Sequence, residues 1–208
     1  MPYLIDGYLS RPSRCLAVEY RIYNYRFAEE IFQSQEFQEI KYQLLDIVKL
    51  APHLRRKTSK KRGTPFVTDP DAMNSWFKQE FRKRDWEIDP FVADPSVTGL
   101  RADYKRKRVQ VEVQFSNVAR AIYDVFKMQV SYSQGLIDVG VLIVPRQSFA
   151  ETIGQNIASF ERLARELPYA KMSITLPLFS YRNRSKDNRQ ESFGMILSQP
   201  SGAVDSQV

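Results

Sequence analysis

Apolar and polar residues change their spacing several times along these 208 residues, and each change predicts a new element. From Phe27 to Leu50 the apolar positions Phe27, Ile31, Phe32, Ile40, Leu44, Leu45, Ile47 and Val48 fall at helical intervals, and Pro52 stops the run. Ahead of it, Leu16 to Tyr23 reads as a strand and residues 1–15 as irregular chain. Residues 55–63 are basic and polar with no apolar period, so a loop is expected there. Asp69-Pro70-Asp71 opens a second helix carrying Met73, Trp76, Phe77 and Phe81, its acidic residues suited to the positive end of the helix dipole. Trp86 to Val92 reads as extended chain and Pro95 to Gly99 as a turn. Ser116 or Asn117 caps a third helix, in which Val118, Ile122, Val125, Phe126 and Gln129 keep helical spacing to about Tyr132. Ile137 to Val144 is almost continuously apolar, the pattern of a strand covered on both faces. A helix from Phe149 to Leu167 and a strand from Met172 to Phe179 follow, and the rest is polar apart from Phe193 to Leu197. This order fits an α/β domain with a mixed central sheet.

One stretch has a pattern of a different kind. Between Asp103 and Phe115 the chain turns to strict alternation, with Val109, Val111, Val113 and Phe115 on one face and Gln110, Glu112 and Gln114 on the other. Glu112 and Gln114 then stand roughly 6.6 Å apart, two steps of strand rise. Asp103 precedes Glu112 by nine positions, and a hairpin between the two runs sets the carboxylates side by side. Such a pair, with a further polar group two positions on, suits a hard divalent ion with oxygen ligands. Alternation alone equally fits the wet side of a half-buried strand. Asp138, inside the apolar run, is either a further acid of this site or a structural carboxylate bonded to backbone N–H groups. Arg120 and Lys127 on the following helix either reach a phosphate or lie on its solvent face.

Composition narrows the partners. With 43% hydrophobic and 12% aromatic residues the chain suits one globular domain. Thirty-one basic against 24 acidic residues give a net charge of +7 and favour a polyanionic partner. The basic residues cluster. Six of the eight residues from Arg55 to Arg62 are cationic, namely Arg55, Arg56, Lys57, Lys60, Lys61 and Arg62. They either track a phosphate backbone or form a solvated charge run. Arg101, Lys105, Arg106, Lys107 and Arg108 flank Asp103, and Arg182, Arg184, Lys186 and Arg189 make a third group. Cys15 and His53 are the single cysteine and the single histidine. That excludes an intrachain disulfide, a cysteine-rich zinc site and any chemistry needing two histidines. The longest apolar run is far too short to span a bilayer and no signal peptide is read, so a soluble, cytoplasmic protein is expected.

The spacing Asp103-x8-Glu112-x-Gln114 resembles the signature of the PD-(D/E)xK nucleases, in the variant with glutamine at the usual lysine position. Its surroundings resemble the BglII/BstYI family of type II restriction endonucleases. Glu112-Val113-Gln114-Phe115, then Tyr123-Asp124-Val125-Phe126, then Ile137-Asp138-Val139-Gly140-Val141 with Pro145, echo that family in order. A weaker echo runs upstream through Lys57, Pro70, Asn74, Phe77-Lys78 and Trp86, so the likeness covers about residues 57–165. It implies a restriction-endonuclease-like core: a single nuclease domain over residues 1–198, its catalytic core at about 70–180, and a flexible tail at 199–208. It implies Mg2+-dependent hydrolysis of double-stranded DNA at a short palindrome containing GATC, by a homodimer with one active site per subunit. A cognate DNA methyltransferase is expected in the same system.

On this likeness Asp103, Glu112 and the backbone carbonyl of Val113 hold the ion, and Gln114 orients the attacking water by hydrogen bonding, since an amide neither titrates nor carries charge. Asn117 and the Gln155-Asn156 pair occupy places where the family puts base contacts. Their plainer readings are a helix cap and exposed helix side chains. Lys57, Lys60, Lys61, Arg62, Arg101 and Lys105 are expected to meet the DNA, and the helices at 116–132 and 149–167 to form the dimer interface. Two other functions fit the same scaffold: a repair or mobile-element nuclease that selects DNA structure, and a catalytically silent DNA-binding protein, against which both carboxylates argue.

Overall fold

The computed structural model describes residues 3–5, 8–10, 19–57, 66–170, 174–184 and 193–195. A short hairpin, β1 (Tyr3–Ile5) and β2 (Tyr8–Ser10), precedes β3 (Glu19–Tyr25) and the helices α1 (Ala28–Gln33) and α2 (Gln35–Leu50). A second hairpin, β4 (Arg55–Lys57) and β5 (Phe66–Thr68), leads to helix α3 (Pro70–Arg82). Then come β6 (Glu87–Ile88), β7 (Tyr104–Arg106), β8 (Val109–Val113), α4 (Val118–Ser133) and β9 (Val139–Pro145). The helices α5 (Gln147–Ile153) and α6 (Phe160–Glu166) precede β10 (Leu178–Arg184) and β11 (Phe193–Met195).

Seven strands form one mixed sheet in the order β10-β3-β11-β9-β8-β7-β6. At its centre β8 and β9 run parallel, from Val109 opposite Val139 to Val113 opposite Ile143. Parallel neighbours need a crossover, and α4 supplies it. Beyond β8 the strands β7 and β6 are added antiparallel. On one face Val109, Val111, Val113 and Phe115 join Val139, Val141 and Ile143 beneath Ile40, Leu44 and Ile47 of α2 and Met73, Phe77 and Phe81 of α3. Asp69 starts α3, accepting from the N–H groups of Asp71 and Ala72, with Pro70 in the first turn. On the other face α4 lays Val118, Ala121, Val125 and Met128 over Leu142, Val144, Leu176 and Leu178. The helix comes so close at Gly140 that a Cβ there would stand 2.6 Å from the Met128 sulfur.

Several expectations are corrected by local physics. The helix expected over Phe27–Leu50 breaks at Ser34, whose backbone is extended and whose hydroxyl donates to the Ile31 carbonyl at 2.8 Å, in place of a helical bond. Arg55, Arg56 and Lys57 are strand rather than loop, paired with Phe66–Thr68. The extended reading of Trp86–Val92 shrinks to Glu87–Ile88, because Asp85 and Asp89 on either side adopt left-handed φ values of 58° and 57°. The helix expected over Phe149–Leu167 is two helices, separated by residues 154–159, where Asn156 is left-handed and Ile157 bridges Asn117. Of the strand expected over Met172–Phe179, Met172 and Ser173 lie outside the described residues, and from residue 174 on the strand begins at Leu178. Upstream of it the Gln129 side chain accepts the N–H groups of Thr175 and Leu176, at 2.8 and 3.1 Å, in place of a neighbouring strand. Among the described residues no helix is long and apolar enough to cross a membrane. Cys15, Lys186, Arg189 and the tail expected at 199–208 lie outside the described residues.

Candidate active site

The register of β7 on β8 sets Tyr104 opposite Val111, so the next pair outward is Asp103 and Glu112. The Asp103 carboxylate accepts the Val113 N–H at 2.8 Å. One residue on, the Gln114 N–H donates to the Ile143 carbonyl at 2.9 Å. In a trans peptide the carbonyl points opposite to the N–H, so the Val113 carbonyl turns away from β9 and toward the edge that holds Asp103. Asp103 and Val113 open into a cleft of about 260 Å³ shared with Asn74, Ser75 and Lys78 of α3 and with Ile88, Asp89 and Tyr104.

The polar row of β8 is not wet. Gln110, Glu112 and Gln114 are all buried, and Glu112 is 0% exposed. The cover is α4, which turns Asp124 and Lys127 inward over this part of the sheet, so Lys127 is not on the solvent face. Its ammonium donates to Glu112 Oε2 at 2.6 Å and to the Arg101 carbonyl at 3.1 Å, and pairs with Asp124 Oδ1 at 3.0 Å. Gln110 donates to Glu112 Oε1 at 2.9 Å. Gln114 donates to Asp124 Oδ2 at 2.6 Å, while its Oε1 accepts from the N–H and the hydroxyl of Ser116 at 2.8 and 2.6 Å. The amide expected to hold a water is therefore bonded to protein at both ends.

Burial and crowding of like charges shape the electrostatics. Burial pushes the Asp103 carboxyl up to about 6, against the opposing pull of the Val113 N–H and Lys127. Glu112 is held well above the ordinary carboxylate range, first by burial and then by the charge of Asp103, with Lys127 opposing both. Burial alone would lower Lys127, but Glu112 and Asp124 outweigh it and raise the ammonium above its usual value. Three carboxyl groups thus crowd one ammonium, and without a further cation the fold favours the protonated forms of Asp103 and Glu112. Among the described residues no group of three or more histidine, cysteine or carboxylate ligands is assembled. The available donors are two carboxylates and a carbonyl. These are hard oxygen ligands in the number Mg2+ takes from protein while keeping its waters, so the residues fit such an ion.

The other sequence candidates separate into those near this centre and those led away from it. Arg106 donates to the Arg84 carbonyl and to Glu39, and Lys107 donates to the Glu36 carbonyl. Arg108 grips both oxygens of Asp138 at 2.7 and 2.6 Å, so that acid is neither part of the site nor a backbone-bound carboxylate. Arg101 donates to the Asp89 carbonyl and lies 3.7 Å above the Phe91 ring, while Lys105 stands opposite Gln110. Lys57 is exposed on β4; Lys60, Lys61 and Arg62 lie outside the described residues. Asn117, Gln155 and Asn156 are brought together. Asn117 caps α4, accepting the Arg120 N–H at 3.0 Å, and the Val118 N–H donates to the Asn156 carbonyl. Gln155 and Asn156 sit not on a helix but in the break before α6, lining a cleft of about 870 Å³ with Arg162 and Arg165.

Asp124, and the burial of Lys127, are what the apolar pattern concealed. Taking Val118, Ala121, Val125 and Met128 as the buried stripe of α4 places both inside it. The stripe through Ile122 and Phe126, which the apolar residues suggest, is half exposed instead.

A mixed sheet with helices on both faces, bearing paired carboxylates on a β-hairpin beside its central parallel strands, defines a nuclease core of the restriction-endonuclease type. The family model for restriction endonuclease BglII/BglIII matches residues 20–180, and the chain belongs to that family. It is accordingly a type II restriction endonuclease, a site-specific deoxyribonuclease. In fold it is similar to the crystal structure of restriction endonuclease BglII complexed with a DNA 16-mer, at TM-score 0.64 and 19% identity over 77% of this chain and 74% of that one. It is similar also to free BglII, at TM-score 0.56 and 21% identity over 83% and 82% of the two chains. No curated protein matches it in sequence.

Proposed function

We propose that this endonuclease hydrolyses double-stranded DNA within a short palindrome containing GATC, using Mg2+, as a homodimer with one active site per subunit. The observation that carries the metal-dependent chemistry is the juxtaposition of Asp103 and Glu112, short of positive charge, with the Val113 carbonyl turned to the same edge. Asp103, Glu112 and that carbonyl would hold the ion. When bound it supplies Lewis acidity toward a phosphoryl oxygen and lowers the pKa of a water. The protein's own part is to fix the two carboxylates against their mutual repulsion, to admit the scissile phosphate through the cleft at Asp103, and to exclude bulk water from Glu112.

The complex of BglII with a DNA 16-mer supports a duplex substrate. Lys57, together with Lys60, Lys61 and Arg62 beyond it, and Arg101 and Lys105 beside the centre are the groups assigned to the DNA, with affinity that falls steeply as salt rises. Asn117, Gln155 and Asn156, adjacent at the start of α4, are assigned to base edges. Two-fold assembly is supported by α4, where Ile122, Tyr123 and Phe126 stand 47%, 47% and 52% exposed on one side. Apolar surface of this kind on a helix is covered in an isologous dimer. The GATC element and a partner methyltransferase follow the family likeness, and both suit a cytoplasmic enzyme with access to DNA.

The test is incubation with unmethylated plasmid in Mg2+ and in EDTA, followed by sequencing of the product ends. Discrete Mg2+-dependent fragments that share one palindrome are expected. Ragged ends, or cleavage that persists in EDTA, would refute the proposal.

A further inference from the structure

We propose that Lys127 is the active-site cation of this nuclease, delivered from helix α4, and that Gln114 serves it by holding Asp124, which aims the ammonium at Glu112. The inference rests on the reading of the Asp103–Glu112 centre as a metal-dependent nuclease site and goes beyond it by assigning the positive charge and the purpose of the glutamine.

Four links make the argument. The Ser116 N–H can only donate, so the Gln114 atom facing it at 2.8 Å must be Oε1, and Nε2 is thereby directed to Asp124. Asp124 then receives Gln114 on one oxygen and Lys127 on the other, at 2.6 and 3.0 Å. Lys127, buried, donates onward to Glu112 at 2.6 Å. Its third contact, the Arg101 carbonyl, belongs to the chain that enters β7 just before Asp103. The ammonium is held from three sides and ends on the carboxylate beside Asp103.

A cation is wanted there. A phosphodiester arriving at Asp103 and Glu112 meets two acidic groups, and Gln110 and Gln114 beside Glu112 are uncharged amides. Among the described residues Lys127 donates directly to Glu112, whereas Arg106, Lys107 and Arg108 are bound elsewhere. Merely structural buried ion pairs are matched in charge, because each unpaired charge is costly to bury. Here one ammonium lies among three carboxyl groups, bonded to Glu112, paired with Asp124 and near Asp103, more than it can pair.

The test uses the full chain and three variants: Lys127→Met, Gln114→Lys, and the two combined. Lys127→Met keeps the aliphatic stem and removes the charge. Its kcat is expected to fall at least about 100-fold, with KM for DNA little changed. In EDTA it melts below the parent, since two carboxylates lose their partner, but Ca2+ raises its Tm by more than it raises the parent's. Gln114→Lys alone is expected to impair cleavage, because its ammonium competes with Lys127 for Asp124. The double variant places a cation within reach of Asp124 again, and regains at least about tenfold over Lys127→Met.

Cleavage by Lys127→Met at the parental rate overturns the proposal. So does a folded double variant that regains nothing, or a Ca2+ shift in Tm equal in Lys127→Met and parent. If Lys127→Met does not fold, the double variant, which keeps the parent's net charge, decides by its cleavage rate alone. A parent protein that never cleaves overturns the nuclease reading instead, and the Ca2+ shift then judges Lys127 by itself.

Discussion

On one side of β8, Val109, Val111, Val113 and Phe115 pack against the rings and aliphatic chains of α2 and α3; on the other, Gln110, Glu112 and Gln114 meet Asp124 and Lys127 of α4. Both rows are buried along the whole strand. The valine row gains free energy from its burial, about 25 cal/mol per Å² of apolar surface removed from water. The carboxylate and amides lose hydration and recover it only through hydrogen bonds and one ammonium. One row is there because it stabilises the sheet. The other is buried at a cost that its hydrogen bonds and one ammonium must offset, and it is the row proposed to carry the chemistry.

The largest effect separates the rows by activity. Glu112→Gln preserves shape and removes the charge proposed to hold the ion. Lewis-acid stabilisation of several kcal/mol should then vanish, a loss on the order of 1000-fold in cleavage rate. Metal-free stability at pH 8 should hold or rise, because the fold disfavours the charged form of Glu112. Plasmid cleavage rates and thermal melts in EDTA check both halves. Near-parental cleavage would sink the site assignment.

A pH series probes the same contrast without touching Glu112. The folded state binds the Asp103 proton more tightly than the unfolded chain does, with its carboxyl lifted from 3.8 to about 6. Its contribution to stability is therefore complete at low pH and is lost as pH rises from about 4 through about 6. The change is worth roughly 3 kcal/mol. Subtracting the melting curves of Asp103→Asn from those of the parent isolates it from other carboxylates. Ca2+ takes the place of the proton, so the difference should shrink when the ion is added. A difference flat in pH would mean that Asp103 is not buried beside Glu112 as described.

The valine row answers in stability alone. Val111→Ala should cost about 2 kcal/mol from lost transfer energy and a small cavity beneath α2 and α3. Denaturant unfolding measures that cost, and cleavage per folded molecule should not change. Lost cleavage in a fully folded Val111→Ala variant would show that the two faces are coupled.

How much of this was legible in the chain follows from which interactions are local. The alternation of β8 and the return to Asp103 lie within thirteen residues, and a period of two on a hairpin suffices to pair the carboxylates. What covers the polar row was not legible, because alternation describes the two faces of a strand and says nothing of what lies on them. On α4 the usual relation is inverted: Ile122 and Phe126 are exposed while Asp124 and Lys127 are buried, so an apolar stripe drawn through the sequence points the wrong way. The basic run around Asp103 does not converge on it, for a geometric reason. Successive residues through β7 and its turn point in different directions, and Arg106, Lys107 and Arg108 leave for Glu39, Glu36 and Asp138. The break between α5 and α6 was hidden because Gly154 is tolerated inside a helical pattern, whereas the left-handed Asn156 declares itself only in three dimensions.

The smallest effect concerns a residue that carries both a structural and a chemical reading at once. Asn117 accepts the Arg120 N–H as the cap of α4, the helix that carries Asp124 and Lys127. Its amide nitrogen is the group suited to a base edge. Asn117→Ala removes both and should cost about 1 kcal/mol of stability. Asn117→Asp separates them, since a carboxylate caps as well as an amide but donates nothing. If Asn117 reads a base, Asn117→Asp melts like the parent, yet its preference for its own site over single-base variants of it falls. If Asn117 is a cap alone, Asn117→Asp cleaves with unchanged preference, and only Asn117→Ala differs from the parent, by its Tm. The comparison of the two β8 faces is then repeated at one residue: stability follows the acceptor, and sequence choice follows the donor.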